Sequence, residues 1–172
     1  MRIAIAGSRD YPRPDLVLRF IANCPPGTTI ASGGAQGPDT TAIRAAKARN
    51  LPTELHPANW DQLGKKAGIL RNEAFIPTCD ALCAFWDLHS RGTAHAIATA
   101  RTHHLKIRIY GPDGEPVNPN LVSRSGRLLA SVTVLTDHQP LWEPETINAK
   151  HGRGISRRIS LARKLPRGPR VR

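Results

Sequence analysis

The sequence predicts an α/β protein: a Rossmann-like parallel sheet flanked by helices on both faces, followed by a C-terminal extension. Two observations lead to this fold class. Short apolar runs alternate with segments of helical length up to residue 114, and a glycine-bearing turn directly follows three of those runs. In a parallel sheet such turns meet at the carboxyl edge of the strands, where backbone N–H groups and helix N-termini can contact a phosphate.

The first strand and helix are signalled by composition. Arg2–Ala6 is rich in isoleucine, which is typical of a buried central strand. This opening is similar to a secretory signal, but the turn at Gly7 ends the apolar run too soon. Pro14 suits the first turn of a helix that continues to about Asn23, because a proline there sacrifices no hydrogen bond.

The middle of the chain repeats this order. Thr28–Ala31 is predicted as the second strand, and a helix over Thr40–Ala48 follows with Asp39 as its cap. A short third strand is predicted at Thr53–His56, and a helix from about Lys65 to Phe75 comes next.

The last regular part runs from strand four to strand five. Ala81–Trp86 is the fourth predicted strand, Thr93–Thr102 an alanine-rich helix and Leu105–Tyr110 the fifth strand. The predicted organisation is therefore a nucleotide-binding core over residues 1–114, an extension over 115–147 with an extra strand at Leu128–Leu135, and a basic flexible tail over 148–172.

Charge is unevenly distributed. The chain has a net charge of +12, with 25 Lys or Arg and 13 Asp or Glu. Nine of the basic residues and no acidic residue lie in residues 150–172, so the first 149 residues carry 16 basic and 13 acidic groups. A nearly neutral core with a basic tail makes nucleic-acid binding through residues 150–172 an open alternative, because clustered Lys and Arg attract polyanions.

Several other classes of protein and of binding site are disfavoured. No apolar stretch approaches the roughly 18 residues that a membrane span needs, and we expect a soluble, cytoplasmic protein without a membrane partner. The three cysteines form no disulfide pattern, and Cys79 and Cys83 lack a second Cys or His pair with zinc-site spacing. We therefore predict no metal site, and no cofactor is evident beyond a nucleotide or ADP-ribose-like ligand.

The first candidate turn is Gly7-Ser8-Arg9-Asp10. Gly7 would allow close approach of the backbone, Ser8 could donate to a phosphate oxygen, and Arg9 could pair with an anion. Asp10 could orient Arg9 or accept from a ribose hydroxyl. The alternative is an ordinary turn at a strand end with a solvated ion pair.

The second candidate turn, Ser32 to Asp39, lacks the Gly-Lys-Ser/Thr ending of a Walker loop, so ATP hydrolysis is disfavoured. It also departs from the Gly-x-Gly-x-x-Gly dinucleotide fingerprint. We expect its small residues to present backbone amides at a helix start. The predicted ligand contacts here are Ser32, Gly33, Gly34, Gly37 and Asp39.

A third cluster follows the third strand. Two glycines at the start of a predicted helix lower the stability of that helix. Their presence is favourable only where a ligand or another backbone segment must approach closely. Trp60 could stack on a base, although packing over the loop is the alternative. The predicted contacts here are Trp60, Lys65, Gly68, Arg71 and Asn72, with only one of the last two expected to reach the ligand.

The fourth cluster is a helix start. Ser90, Gly92 and Thr93 could hold an anion through hydroxyls and backbone amides, whereas His95 is expected to be a surface group. No Ser/His/Asp set or paired carboxylates are found. Four acidic residues fall near strand ends, and two of them, Asp10 and Asp87, are our candidates for a catalytic role; the others are Asp39 and Asp61.

These blocks in combination resemble a known family. The strings Gly-Ser-Arg-Asp, Ser-Gly-Gly-Ala-x-Gly-x-Asp, Trp-x-x-x-Gly-Lys-x-Ala-Gly-x-x-Arg-Asn and Phe-Trp-Asp-x-x-Ser-x-Gly-Thr are similar to the YspA-like branch of the SLOG superfamily. They stand in order at Gly7–Asp10, Ser32–Asp39, Trp60–Asn72 and Phe85–Thr93, within residues 1–112. The superfamily includes the LONELY GUY phosphoribohydrolases and the DNA-processing protein A family.

The resemblance implies a Rossmann-like sheet that binds nucleotides or nucleotide-derived ligands at its glycine-rich edge, and a homo-oligomer. LONELY GUY enzymes carry a glutamate within Pro-Gly-Gly-x-Gly-Thr-x-x-Glu, and Ala96 stands at that position here. The usual Pro-Ala-Asp-Trp of the branch also reads Pro-Ala-Asn-Trp, with Asn59 in place of the aspartate.

Three functions follow as hypotheses. The first is a nucleotide-binding sensor, sequestering agent or carrier, for which the superfamily's links to signalling and phage–host conflict are an analogy. The second is a hydrolase that cleaves an N-glycosidic bond of a nucleotide, in the manner of a phosphoribohydrolase. The third is DNA or RNA binding through the basic tail.

Overall fold

The structure, a computed structural model, describes residues 1–123 and Leu141. These residues belong to one compact unit, Met1–Trp142. The second unit, Glu143–Arg172, lies outside the described residues, as do the predicted strand Leu128–Leu135 and the basic tail. The proposed domain boundaries therefore remain predictions.

Within the described residues, five parallel strands form one sheet in the order β3-β2-β1-β4-β5. The strands are β1 (Arg2–Gly7), β2 (Thr29–Ser32), β3 (Thr53–Leu55), β4 (Ala81–Phe85) and β5 (Lys106–Tyr110). The order reverses between β1 and β4, because the chain runs outward from β1 to β3 and then returns to the other side of β1. In open α/β sheets this switch point is where ligands bind. The predicted fold class is confirmed.

Five α-helices connect these strands, with short 3₁₀ turns beside them. They are α1 (Pro14–Ala22), α2 (Pro38–Ala48), α3 (Trp60–Leu63), α4 (Ala67–Phe75) and α5 (Arg91–Thr102). None of the helices in the described residues has the length and apolar composition needed to cross a membrane.

The alternation of side chains along the strands divides the core into two layers. Ile3 and Ile5 of β1 pack on the face covered by α1 and α2, whereas Ala4 lies on the face covered by α4 and α5. On the first face α1 contributes Val17, Phe20 and Ile21, which share one helix face at i, i+3 and i+4.

Small residues dominate the second layer. Ala4, Ala31 and Ala84 of the sheet lie in the same layer as the alanine-rich helix α5, and Ala4 and Ala84 let this helix approach closely. Both apolar layers hold the carboxyl ends of β1, β2 and β4 side by side. This arrangement fixes the edge at which the glycine-bearing turns emerge.

Two predicted boundaries differ in an informative way. Helix α2 begins at Pro38, so Asp39 lies in its first turn instead of capping it. The helix predicted from about Lys65 to Phe75 begins at Ala67 as α4, and a 3₁₀ turn, Gly64–Lys66, separates it from α3, because Gly64 has a φ of 50° that an α-helix cannot accommodate.

Candidate functional site

A cavity of about 430 Å³ opens at the carboxyl edge of the sheet, beside the switch point. It is bounded by the turns that follow β1, β2 and β4 and by helix α4. Twelve of the eighteen predicted site residues line it: Gly7, Arg9, Gly33, Asp39, Trp60, Lys65, Gly68, Arg71, Asn72, Ser90, Gly92 and Thr93. The volume lies within the range that small-molecule sites occupy in proteins.

Arg71 is held in place at the centre of one wall. Its Nη1 donates to the carbonyl of His56 at 3.0 Å, and its guanidinium carbon lies 5.8 Å from the ring centre of Phe75. A Cβ on Gly33 would collide with the guanidinium, so only glycine leaves room for the arginine at this position. Nε of Arg71 is buried with no hydrogen-bond partner among the described residues.

Asp39 anchors the two glycine-bearing turns to each other. Its Oδ1 accepts from the backbone N–H of Gly7 at 2.9 Å, and its carboxyl also bonds the Ser32 hydroxyl and the Ala35 N–H. The residue is only 4% exposed, and this burial raises its pKa to about 6 against the lowering effect of those bonds and of Arg71. It is the single carboxylate lining the described cavity.

Positive charge therefore dominates the wall. Four cationic side chains, those of Arg9, Lys65, Arg71 and Arg91, line the same cavity. Desolvation lowers the pKa of Arg71 while Asp39 raises it, and the guanidinium stays charged because its ordinary pKa lies far above neutrality. An anionic group is the chemical complement of this wall.

The turn after β1 is shaped by packing within the protein. A Cβ on Gly7 would collide with the ring of Pro38, which opens helix α2. Ser8 is fully buried and accepts from the backbone N–H of Asp87 at 3.0 Å, so it lies behind the cavity wall. Asp10 is exposed and does not line the cavity.

Three more predicted residues belong to the turn after β2. Ser32 is buried, and its Oγ accepts from the N–H of Gly34 at 3.2 Å. Gly34 and Gly37 take positive φ values of 70° and 97°. None of the three lines the cavity, and all three shape the backbone that does.

The turn after β4 is fixed by Asp87. Its Oδ1 accepts from the backbone N–H groups of His89 at 2.9 Å and Ser90 at 2.7 Å. Partial burial raises the pKa of Asp87, but these two bonds, together with the Ser8 hydroxyl and the His89 side chain, hold the pKa below its ordinary value. Asp87 does not line the cavity. The indole N–H of Trp86 donates to the Ser90 carbonyl at 3.1 Å and holds the same turn.

One end of the cavity is apolar. Trp60 is 59% exposed at the rim, and its indole lies 3.3 Å from where a Cβ of Gly68 would stand. Ile69, 43% exposed, and Phe75 extend this surface. Both members of the Arg71–Asn72 pair line the cavity, and Asn72 donates to the Gly92 carbonyl at 3.4 Å.

Sequence reasoning missed seven lining residues: Ile5, Ala6, Ala35, Gln36, Ile69, Phe75 and Arg91. Four of them, Ala35, Gln36, Ile69 and Arg91, lie inside blocks already singled out. Ile69 and Phe75 resemble ordinary packing residues of a helix, and only the path of α4 across the sheet edge brings them to the cavity.

No metal centre is formed by this part of the molecule. Within residues 1–123 and Leu141, no group of three or more His, Cys, Asp or Glu is placed to hold a metal ion. Cys79 and Cys83 are buried as free thiols, and burial raises the pKa of each. His95 is half-buried on α5, with its Nε2 at 3.4 Å from Oε1 of Glu73.

Comparison with known proteins agrees with this architecture. Residues 1–63 match the model of the "YspA, cpYpsA-related SLOG family". The chain is 32% identical over 120 residues to the gene 61 protein of Mycobacterium phage D29, an alignment that covers 64% of this chain and 96% of that protein.

A solved structure shares the fold. DNA processing protein A (DprA) from Streptococcus pneumoniae superposes with a TM-score of 0.55 at 18% identity, over 64% of this chain. The chain spans about half of that protein, 49% of its length. Because the family model, the four motif blocks and the sheet agree, the chain belongs to the YspA-like branch of the SLOG superfamily.

Proposed function

We propose that the protein binds a nucleotide or nucleotide-derived ligand in this cavity, as a sensor, sequestering agent or carrier. The observation that carries the proposal is the fixed guanidinium of Arg71, which occupies the space that Gly33 leaves free and stacks near Phe75. A preorganised guanidinium binds a phosphate without losing further side-chain entropy.

The phosphate would lie between the turns and the basic side chains. The N-terminus of the twelve-residue helix α5 supplies backbone N–H groups and a partial positive charge beside Ser90 and Thr93. Arg9 and Arg91 are exposed at the same rim and would add charge-assisted bonds.

The base would lie at the apolar end. Trp60 offers an exposed ring face, and Ile69 and Phe75 continue the surface into the cavity. Base–aromatic stacking tolerates any base, so this end supplies affinity without selecting one base strongly.

Binding is favoured over hydrolysis by the positions of the carboxylates. Asp10 and Asp87, the two candidates for a catalytic role, do not line the cavity. Asp39 does, but its oxygens are engaged by backbone and hydroxyl donors, which leaves it a structural acceptor. A general base must reach the proton that it removes.

A nucleic-acid ligand is the second candidate. The DprA of S. pneumoniae is named a DNA processing protein, and residues 150–172 of this chain carry nine basic and no acidic residues. Binding of single-stranded DNA by the full chain would be sequence-indifferent and would weaken steeply with salt. Gel-shift titrations at two salt concentrations test this candidate.

Calorimetry with ribonucleoside 5′-monophosphates, NAD and ADP-ribose tests the main proposal. Arg71→Gln is expected to weaken binding by about 10- to 100-fold, since a charged hydrogen-bond partner contributes roughly 1.5–3 kcal/mol. Arg44→Gln removes the same charge from an exposed position on α2 outside the cavity and is the matched control. Equal affinity of the two variants, or no heat with any of these compounds, would contradict the proposal.

Mass spectrometry of the mixtures after incubation distinguishes binding from cleavage. Unchanged ligands support a sensor or carrier. Released free base together with a ribose phosphate would replace it with the hydrolase hypothesis.

A further inference from the structure

Four polar groups form a chain that starts in the protein interior and ends at the cavity. The backbone N–H of Asp87 donates to Oγ of Ser8 at 3.0 Å. Oγ of Ser8 lies 3.5 Å from Oγ1 of Thr93, at the long end of hydrogen-bonding distance. Oγ1 of Thr93 donates to Oγ of Ser90 at 3.2 Å.

The direction of each proton follows from the last bond of the chain, in which Thr93 donates to Ser90. A backbone N–H can only donate, whereas a hydroxyl has one proton to give and lone pairs to receive. Because the one proton of Thr93 goes to Ser90, Ser8 is the donor at its contact with Thr93, and the Asp87 carboxylate also attracts this proton. Thr93 in turn gives its proton to Ser90, and the proton of Ser90 is left for a group in the cavity.

Burial keeps water from reversing this order. Ser8 is 0% exposed and Thr93 is 2% exposed, while Ser90 is half-buried and lines the cavity. A buried hydroxyl must use the partners that the protein provides, because leaving it unpaired is costly. Successive hydroxyls that donate in one direction also polarise one another.

Backbone bonds hold both ends of the chain. The N–H of Ser8 donates to the carbonyl of Phe85 at 2.9 Å, which joins the β1 turn to the end of β4. The carboxylate of Asp87 holds the N–H of Ser90 at 2.7 Å, which fixes the opposite end. Ser8, Thr93 and Ser90 are therefore supported by two neighbouring turns of the sheet edge.

We infer that Ser8 is a positioning residue: it directs the Ser90 hydroxyl to donate into the cavity, so that this corner favours a ligand oxygen that accepts a hydrogen bond, such as a phosphate oxygen. The inference rests on the proposed function, because it assigns a role within the same site. It also gives Ser8 a purpose other than the direct phosphate contact that the sequence predicted.

The test compares each ribonucleoside 5′-monophosphate with its nucleoside by calorimetry on the full chain. Thr93→Val keeps the shape but breaks the chain, and it is expected to weaken nucleotide binding by about tenfold while nucleoside binding is unchanged. Thr93→Ser restores the hydroxyl and should return the affinity to within about twofold. The control is Thr99→Val, at a buried threonine further along the same helix whose hydroxyl donates to the His95 carbonyl.

Ser8 itself is tested by a double-mutant cycle with Ser90. Ser8→Ala is expected to weaken nucleotide binding by about threefold, because Ser90 can then give its proton to Thr93 instead of the ligand. In a Ser90→Ala background the same substitution should have no further effect, since the last donor is already missing. Additive losses, or equal losses for nucleotide and nucleoside, would overturn the inference and leave the proposed function standing.

Two further outcomes distinguish the inference about Ser8 from the proposed function. If the unaltered protein binds no nucleotide, the proposed function fails and the inference fails with it. If Ser8→Ala does not fold, as circular dichroism would reveal, the Thr93→Val and Thr93→Ser pair decides alone: equal affinities of that pair would overturn the inference.

Discussion

The two ends of the cavity are built in opposite ways. At the polar end the wall is formed by backbone turns and cationic side chains, and the buried Ser8 and the half-buried Asp87 hold the backbone of those turns from behind. At the apolar end Trp60 and Ile69 face solvent directly, 59% and 43% exposed. Substitutions at the polar end should therefore affect both folding and binding, whereas those at the apolar end should affect binding alone.

The largest expected effect is the pH dependence due to Asp39. Its pKa of about 6 lies above the ordinary 3.8, so the folded protein holds this proton more tightly than the unfolded chain does. This contribution to the free energy of unfolding is complete below pH 4 and is lost as the pH rises through 6. At about 1.4 kcal/mol per pKa unit, the loss amounts to up to about 3 kcal/mol.

Asp39→Asn should remove this slope. Urea unfolding of both proteins from pH 4 to pH 7.5 measures this slope. The free energy of unfolding of the variant should increase relative to that of the unaltered protein as the pH rises. Asp61→Asn, at an exposed position near Trp60, controls for the loss of one charge. Parallel profiles for the unaltered protein and Asp39→Asn would contradict the assignment.

Gly33→Ala should have the next largest effect. The added Cβ would displace the Arg71 guanidinium, and overpacking of this kind costs about 1–3 kcal/mol of unfolding free energy. The same displacement should weaken nucleotide binding, because the fixed cation moves. Gly92→Ala is the control for stability: Gly92 has open space around its α-carbon and lies within α5.

Urea unfolding and calorimetry on the two glycine variants give the answer. Gly92→Ala should be as stable as the unaltered protein or slightly more so, because alanine favours a helix. A Gly33→Ala protein with full stability and full affinity would show that Arg71 is not held as described.

The smallest effect is expected at the apolar end. Trp60→Ala should weaken nucleoside 5′-monophosphate binding by about 1 kcal/mol through lost stacking, and binding of ribose 5-phosphate should not change. The unfolding midpoint should also stay constant, because the side chain is mostly exposed. Leu18→Ala, at an exposed position on α1, is the matched control. A large loss of stability in Trp60→Ala would remove the contrast between the two ends.

Much of the fold could be predicted from local pattern. The isoleucines of β1 and the apolar run of β4 mark buried central strands, and proline and glycine mark the ends of the elements. Boundaries were less predictable, as the interruption at Gly64–Lys66 illustrates. A glycine's φ depends on how the chain packs around it, which spacing does not encode.

The site divides in the same way. Glycine-bearing turns after parallel strands must meet at one edge, so the location of the cavity and most of its wall followed from sequence order. The direction in which each side chain points did not follow from sequence order. Ser8, Ser32 and Asp87 point into the protein and bond its backbone, although as sequence they are equally suited to bind a ligand.

The sequence by itself determined the parallel α/β sheet, the edge where its turns converge and the residue types available there, because periodicity and turn chemistry act over neighbouring residues. Only the tertiary structure decided which of those residues face the cavity. It seats the Arg71 guanidinium beside Gly33, buries Asp39 and links Ser8 to Thr93 across 85 positions of the chain. These contacts arise from the packing of α2, α4 and α5 against the sheet, and no local pattern specifies such long-range distances.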